Sequence, residues 1–416
     1  MERIIIHSDM NSCYASIECS LNPELWGKPV AVGGSTEDRH GIILAKSEEA
    51  KKCGVKTGEV IWQAKNKCPD LIILPARFDI YQKYSRLAGK IYSDYSDRVE
   101  PMGMDEAWCD LTGTVKSFDE AEKIVQQIIS RFKNELGITV SIGVSFNKIF
   151  AKLGSDLAGR DSYQIITRDE FKNKIWPLEA GAMMGVGRNT AKKLSQYGIN
   201  TIGELAGCSE EWLRVVFGVM GSAMWKYANG LDDSEVMKKG EQPAVKSIGH
   251  GITCKEDLTD NEQVWLVLLS LSQNVAKRLC EEKKHSASVQ IAVRNTQLST
   301  KQFQCELPIA TQSAFEIAKA AFSLFEKNYN WFYNVRALSV RAINLQDEGS
   351  PVQMCLYDDY EKHEKQKRID DAVLGLRQRF GDGAVFNCCL MMESKMPSKE
   401  NEKAVPFMKN YKQIEG

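Results

Sequence analysis

Three acidic residues stand where a folded chain could gather them for chemistry. Asp9 ends the run Arg3-Ile4-Ile5-Ile6-His7-Ser8, and Asp105-Glu106 open a second strand-like run after the turn Pro101-Met102-Gly103-Met104. At a strand end sheet pairing stops and space for a ligand opens. Carboxylate oxygens placed there suit a hard cation such as Mg²⁺, which keeps part of its shell for water and substrate phosphates. A pair of such ions would activate an attacking oxygen and neutralise a leaving pyrophosphate. Singly, each acid reads as a solvated turn residue; only convergence of the three makes a site.

The rest of the chain must supply that convergence. Its 416 residues suggest about three domains, and with 43% apolar and 26% charged residues there is material for several cores and no case for wholesale disorder. The 54 Lys and Arg nearly cancel the 55 Asp and Glu, so bulk charge names no partner. The longest apolar window, Val264–Leu271, is too short to span a bilayer, and the first residues lack the apolar core of a secretory signal. Twelve cysteines occur without any CxxC pair, which reads as reduced thiols in a cytoplasmic protein.

Hydrophobic patterning predicts an α+β multidomain chain. Short strands are expected at Pro29–Gly33, Ile42–Ala45, Leu71–Leu74, Cys109–Leu111 and Ile138–Val144, with helices at Tyr81–Tyr95 and Asp119–Leu136. Residues 169–230 read as small helices punctuated by glycines, and Asp232–Pro243 as a polar linker. In 244–346, Val289, Ile291 and Val293 alternate with polar neighbours, as do Leu338, Val340 and Ala342, which predicts an antiparallel sheet with one wet face. Two amphipathic helices, marked by Val264 to Leu279 and Ala314 to Phe325, would cover the other face. A further helix is expected over Glu361–Phe380.

Taken together, His7-Ser8-Asp9-Met10-Asn11-Ser12-Cys13-Tyr14, Gly54-Val55-Lys56-Thr57-Gly58, Met104-Asp105-Glu106-Ala107-Trp108 and Gly143-Val144-Ser145-Phe146-Asn147-Lys148-Ile149-Phe150-Ala151-Lys152 resemble the Y-family translesion DNA polymerases, most closely the bacterial DNA polymerase IV group. The resemblance runs over about residues 1–346. It implies a ferredoxin-like palm (1–20 and 76–165), small fingers (21–75), a helical thumb with a helix-hairpin-helix (166–232), a linker (233–243), an α+β little finger with a four-stranded antiparallel sheet (244–346), and a tail (347–416). Asp9, Asp105, Glu106 and the backbone carbonyl of Met10 would hold two Mg²⁺ ions, with Mn²⁺ able to substitute. Tyr14 matches the steric gate that packs under the nucleotide sugar and excludes a 2′-hydroxyl by overlap. Substrates would be primer-template DNA and deoxynucleoside triphosphates, and the chain a monomer. No exonuclease segment is evident, so synthesis without proofreading is expected.

The pattern breaks at the triphosphate. Where the family has a tyrosine and an arginine in the fingers and a lysine in the palm, this sequence has Glu48, Lys51 and Gly159. Lys51 keeps the charge but not the planar fork, and a carboxylate at 48 repels a triphosphate. Lys46, Lys51 and Arg160 are left as the candidate nucleotide-binding cations, in a weakened or rearranged cradle.

For duplex binding, the segment from Gly185 and Gly187 through Arg188 and Lys192 resembles a helix-hairpin-helix, in which backbone N–H groups approach a phosphate. The 244–346 unit has only twelve Lys and Arg against nine Asp and Glu. Its candidates are Ser247 to Thr253, whose small side chains let phosphates approach, with Arg294 and Arg341 as cations. Gln353, Leu356 and Tyr357 resemble the peptide that docks on the bacterial sliding clamp, a tether that raises local concentration at primer ends. The rival readings are a catalytically impaired protein that binds DNA and the clamp, which the altered cradle favours, and a nucleotidyl cyclase, which the hairpin and tail peptide oppose.

Overall fold

The computed structural model describes residues 2–34, 41–238, 240–241, 244–351, 360–381, 384–385 and 387–391. The described residues of 2–34 and 42–241 form one compact unit, and those of 244–391 with Gly41 form the other.

The first unit opens with β1 (Ile5–Met10) and α1 (Cys13–Leu21). Next come β2 (Val30–Gly33), β3 (Ile43–Lys46), α2 (Glu48–Lys52), α3 (Ile61–Lys67) and β4 (Ile72–Pro75), a small three-stranded sheet with its own core of Ala31, Ile43, Ala50, Val55 and Ala64. The chain then returns through α4 (Phe78–Ser93), β5 (Val99–Met102), β6 (Glu106–Asp110), α5 (Phe118–Arg131), β7 (Val140–Ser145), α6 (Lys148–Leu157) and β8 (Ser162–Ile166). The main sheet has the order β5-β6-β1-β7-β8. Its first four strands with α4 and α5 form the βαββαβ arrangement of a ferredoxin-like fold, and β8 adds parallel to β7 after the α6 crossover.

Local chemistry explains these elements. Ala121, Val125 and Ile128 recur at helical spacing along α5 and are fully buried. Ser117 caps that helix by accepting from the Glu120 N–H. The expected single helix from Asp119 to Leu136 widens into a π-helical turn over Phe132–Leu136 and stops at Gly137, whose φ of 66° suits glycine. Asn147 caps α6 through the Phe150 N–H at 2.8 Å.

The thumb-like helices are α7 (Phe171–Ile175), α8 (Arg188–Gln196), α9 (Ile202–Ala206), α10 (Glu210–Phe217) and α11 (Val219–Ala228), packed around Leu194, Ile202, Leu213 and Met224. The linker expected at Asp232–Pro243 is not free over its first half. Val236 is fully buried against Ile5, Trp108 and Ala151, Arg98 pairs with Glu235, and the Met237 N–H donates to Glu100 at 3.0 Å. One apolar side chain and these polar contacts hold a stretch that composition alone marks as loose.

In the second unit β9 (Ile248–Leu258), α12 (Asn261–Glu281), β10 (Lys284–Asn295), β11 (Thr300–Thr311), α13 (Ala314–Asn328) and β12 (Val335–Asp347) build an antiparallel sheet of order β11-β10-β12-β9. Val289, Ile291, Val293, Leu338, Val340 and Ala342 face the two helices and are buried, as the alternation requires. A last helix, α14 (Tyr360–Phe380), follows. Among the described residues no helix is long and apolar enough to cross a membrane.

One contact in the first unit sets the position of everything on α6. Gly143 of β7 and Gly154 of α6 meet backbone to backbone: a Cβ at 143 would lie 1.9 Å from the Ala151 carbonyl oxygen and 2.3 Å from the Ser155 nitrogen. Gly143→Ala must therefore push the helix off the sheet. We expect it to destabilise the protein by about 1–3 kcal/mol, the usual cost of overpacking, read as a fall in the urea midpoint. An unchanged midpoint would show that α6 is not pinned there.

Candidate active site

Register brings the acids together. β1 lies antiparallel to β6 so that Asp9 stands opposite Glu106, and the Met10 N–H donates to the Asp105 carbonyl at 2.9 Å, drawing the turn before β6 onto the end of β1. Asp9, Met10, Asp105 and Glu106 thus share one edge of the sheet. Lys152 reaches into it from α6. Its Nζ donates to Glu106 Oε1 at 2.8 Å and Asp9 Oδ2 at 3.4 Å, and to Asp156 Oδ1 one helical turn on at 3.1 Å.

Behind Glu106 lies His7, fully buried and edge-on to Trp108 at 5.1 Å. Ser155 Oγ spends its proton on the Lys152 carbonyl at 2.8 Å, so it accepts from His7 Nδ1–H at 2.7 Å. That tautomer leaves Nε2 without a proton when the ring is neutral. It faces Glu106 Oε2 at 3.4 Å, and both atoms are buried without a hydrogen-bond partner.

These surroundings separate the proton affinities of the acids. Burial, and then the neighbouring Glu106, push Asp9 up to about 7, against the pull of Lys152. Burial and Glu106 also raise Asp105. For Glu106, burial acts upward but is outweighed by Lys152, whose ammonium donates to it at 2.8 Å and keeps its carboxyl below the usual carboxylate range. Burial lowers His7.

The donor set is all oxygen and hard, so the residues fit a divalent cation. The trio is not closed around one: among the described residues no three such side chains converge tightly enough to cage a cation. Like charges keep the acids apart, and an ammonium group stands between two of them.

Tyr14, on α1 just beyond Asp9, stacks on Tyr81 with ring centroids 4.4 Å apart and planes within 8°. Tyr81 donates its hydroxyl to Glu18 at 2.7 Å, and Glu18 pairs with Arg77. The ring of Tyr14 is thereby held flat. The candidate nucleotide cations are less concentrated. Lys46 donates to Thr57 at 3.0 Å, Lys51 lies 3.8 Å from Glu48, and Arg160 donates to Thr139 at 3.1 Å. Arg160 lines a cleft beside α1 with Ser12, Ser16, Glu48 and Glu49.

In the thumb-like region Gly185 has a φ of 87° and Gly187 precedes α8, with Arg188 and Lys192 exposed on its first turns. In the second unit Arg294, Ala337 and Thr253 are partners in register across three strands, and Gln290, Arg341 and Gly249 across the same three. Arg294, Arg341 and Thr253 therefore share the outer face. Ser247 lies just before β9, outside the ladder. Gln353, Leu356 and Tyr357 lie outside the described residues. Reading acids alone missed Lys152, His7, Ser155 and Asp156. The signals were present: His7 and Asp9 are two apart on a strand and share a face, and Lys152 and Asp156 are four apart on a helix.

Comparison with known proteins agrees with this geometry. The impB/mucB/samB family model matches residues 8–156, and the model of that family's C-terminal domain matches residues 245–356. The DNA polymerase IV of Acetivibrio thermocellus is 45% identical over 94% of this chain and 98% of its own length. DNA polymerase IV 1 of Bacillus subtilis is 35% identical over 91% of both. Among solved structures, a Y-family polymerase chimera, Dbh-Dpo4(243-245)-Dbh, aligns with a TM-score of 0.73 at 23% identity, covering 83% of this chain and 99% of its own. Such a likeness establishes the fold. The chain belongs to the impB/mucB/samB family, the Y-family DNA polymerases, within the DNA polymerase IV group. It is a DNA-directed DNA polymerase.

A pH dependence follows from Asp9. An acid whose folded value is raised from 3.8 to about 7 contributes stability that is complete below the lower value and lost as pH rises through the upper one. Glu106, held low, acts only in more acidic solution. His7, held low, acts in the opposite sense over the same range, so the contrast between two proteins isolates Asp9: from about pH 5 to about pH 8 the metal-free wild type should lose more melting temperature than Asp9→Asn. Equal slopes for the two proteins would refute the assignment.

Proposed function

We propose that this polymerase extends a primer 3′ end on damaged templates by phosphoryl transfer at two divalent cations, Mg²⁺ in the cell and Mn²⁺ as a substitute. Asp9, Asp105, Glu106 and the carbonyl of Met10 would hold the ions. The observation that carries this is the register of Asp9 against Glu106, with Asp105 drawn in beside them and proton affinities driven in opposite directions. Bound ions supply activation of the 3′-hydroxyl and neutralisation of charge at the leaving pyrophosphate.

The chain's own residues do the positioning. Tyr14, held flat on Tyr81, fills the volume that a 2′-hydroxyl needs and so selects deoxynucleotides by overlap. Arg160, beside α1, and Lys46 and Lys51 in the fingers supply positive charge for the triphosphate, with Glu48 opposing them. Gly185, Gly187, Arg188 and Lys192 hold the duplex through its phosphates without reading sequence. Arg294, Arg341 and Thr253 on the outer sheet face, with Ser247 near it, hold the template side. Gln353, Leu356 and Tyr357 would tether the enzyme to the bacterial sliding clamp. Fidelity is low because nothing proofreads, and the enzyme works as a cytoplasmic monomer.

The placement of Glu48 in the cleft favours one other reading, a catalytically impaired protein that keeps the architecture and binds DNA and the clamp. Primer extension with Mg²⁺ separates the two. The wild-type chain should add deoxynucleotides to an undamaged and a lesion-containing template, and Asp105→Ala/Glu106→Ala should lose at least about a thousandfold in rate while still binding the duplex. DNA binding without extension by the wild type would decide for the impaired reading.

A further inference from the structure

Lys152 is the residue that the functional reading has not used. It is one of the least exposed lysines of the first unit, its side chain 15% accessible, and its ammonium contacts three carboxylates from three elements: Asp9 on β1, Glu106 on β6 and Asp156 on α6 itself. The contact between Gly143 and Gly154 fixes the backbone that carries it. The side chain is a four-carbon stem with rotatable donors, so the charge can move while its anchor does not.

Of its partners, Asp9 and Glu106 are acids of the polymerase site and Asp156 is not. Asp156 is 46% exposed, one turn along the helix, where a surface pair with a lysine forms readily. A divalent ion sharing oxygens with Asp9 and Glu106 would sit within a few ångströms of the ammonium, at a cost in repulsion that grows as water is excluded. The two cations cannot both occupy the site.

We propose that Lys152 is a resident counter-cation of the polymerase site, spanning Asp9 and Glu106 in the metal-free protein and withdrawing to Asp156 when a divalent ion enters. This rests on the reading that the acidic trio binds divalent cations. Lys152 holds the acids near one another before loading, because without it their mutual repulsion is uncompensated. It also weakens metal binding in the absence of substrate. A triphosphate brings negative charge and further oxygen ligands, so metal loading becomes conditional on nucleotide. Lys152 is thus a positioning residue that sets the metal affinity of the free enzyme.

Removing the ammonium and removing its retreat should act in opposite directions. Mn²⁺ is titrated into the full chain without DNA or nucleotide, and free Mn²⁺ is followed by electron paramagnetic resonance. Lys152→Met should bind Mn²⁺ roughly tenfold more tightly than wild type. Its melting temperature in chelator should fall below that of wild type and recover more strongly on adding Mg²⁺. Asp156→Asn should bind Mn²⁺ more weakly than wild type, since the displaced charge has nowhere to go. Wild-type binding that disappears in Asp9→Asn establishes the metal site independently of Lys152. With that control met, unchanged or weaker binding by Lys152→Met overturns the inference and leaves the metal site standing. If wild type and Lys152→Met both fail to bind Mn²⁺, the metal reading falls and this inference with it.

Discussion

Placing three carboxylates at one sheet edge is the constraint on which the rest of the first unit depends. Folding brings Asp9 opposite Glu106 with Asp105 beside them, and partial burial makes each negative charge more costly than it would be in water. The protein answers with a proton raised in affinity on Asp9 and an ammonium from α6. Neither fully compensates the acids. Glu106 Oε2, facing the lone pair of His7 Nε2, is the remaining imbalance at this edge.

Packing supplies the precision this arrangement needs. The glycine pair at 143 and 154 brings α6 closer to β7 than any side chain would permit, which delivers Lys152, Ser155 and Asp156 to the strand ends. On the other side of the acids, a chain of contacts from Arg77 through Glu18 and Tyr81 fixes the ring of Tyr14. The acidic edge and the ring of Tyr14 therefore sit on neighbouring elements, β1 and the helix that follows it. The fingers-side cations are held by weaker, more exposed contacts, with Lys51 committed to Glu48.

Much of this was legible in the sequence because its signals are local. The alternation of Val289, Ile291 and Val293 gave the inward face of the second sheet, and the spacing of Ala121, Val125 and Ile128 gave the buried face of α5. The acids and Tyr14 were legible through motifs close to each of them. Other features depend on contacts between distant residues. Nothing near Val236 marks it as an anchor, since its partners Ile5, Trp108 and Ala151 lie far back in the chain. Lys152 reads as one more charge on a helix until β1 and β6 are placed beneath it. His7 reads as part of a strand until Ser155 fixes its tautomer. The π-helical turn that ends α5 carries the fully buried Phe132, and helical periodicity alone does not mark that change of winding.

The most direct test is to locate the cations. Crystals of the full chain with primer-template and a non-hydrolysable deoxynucleoside triphosphate, grown in Mn²⁺, would show the ions by their anomalous scattering. Two anomalous peaks should appear at the strand edge, within ligand distance of oxygens from Asp9, Asp105 and Glu106. Peaks absent from that edge, or ions held by phosphates with the three carboxylates turned away, would contradict the account.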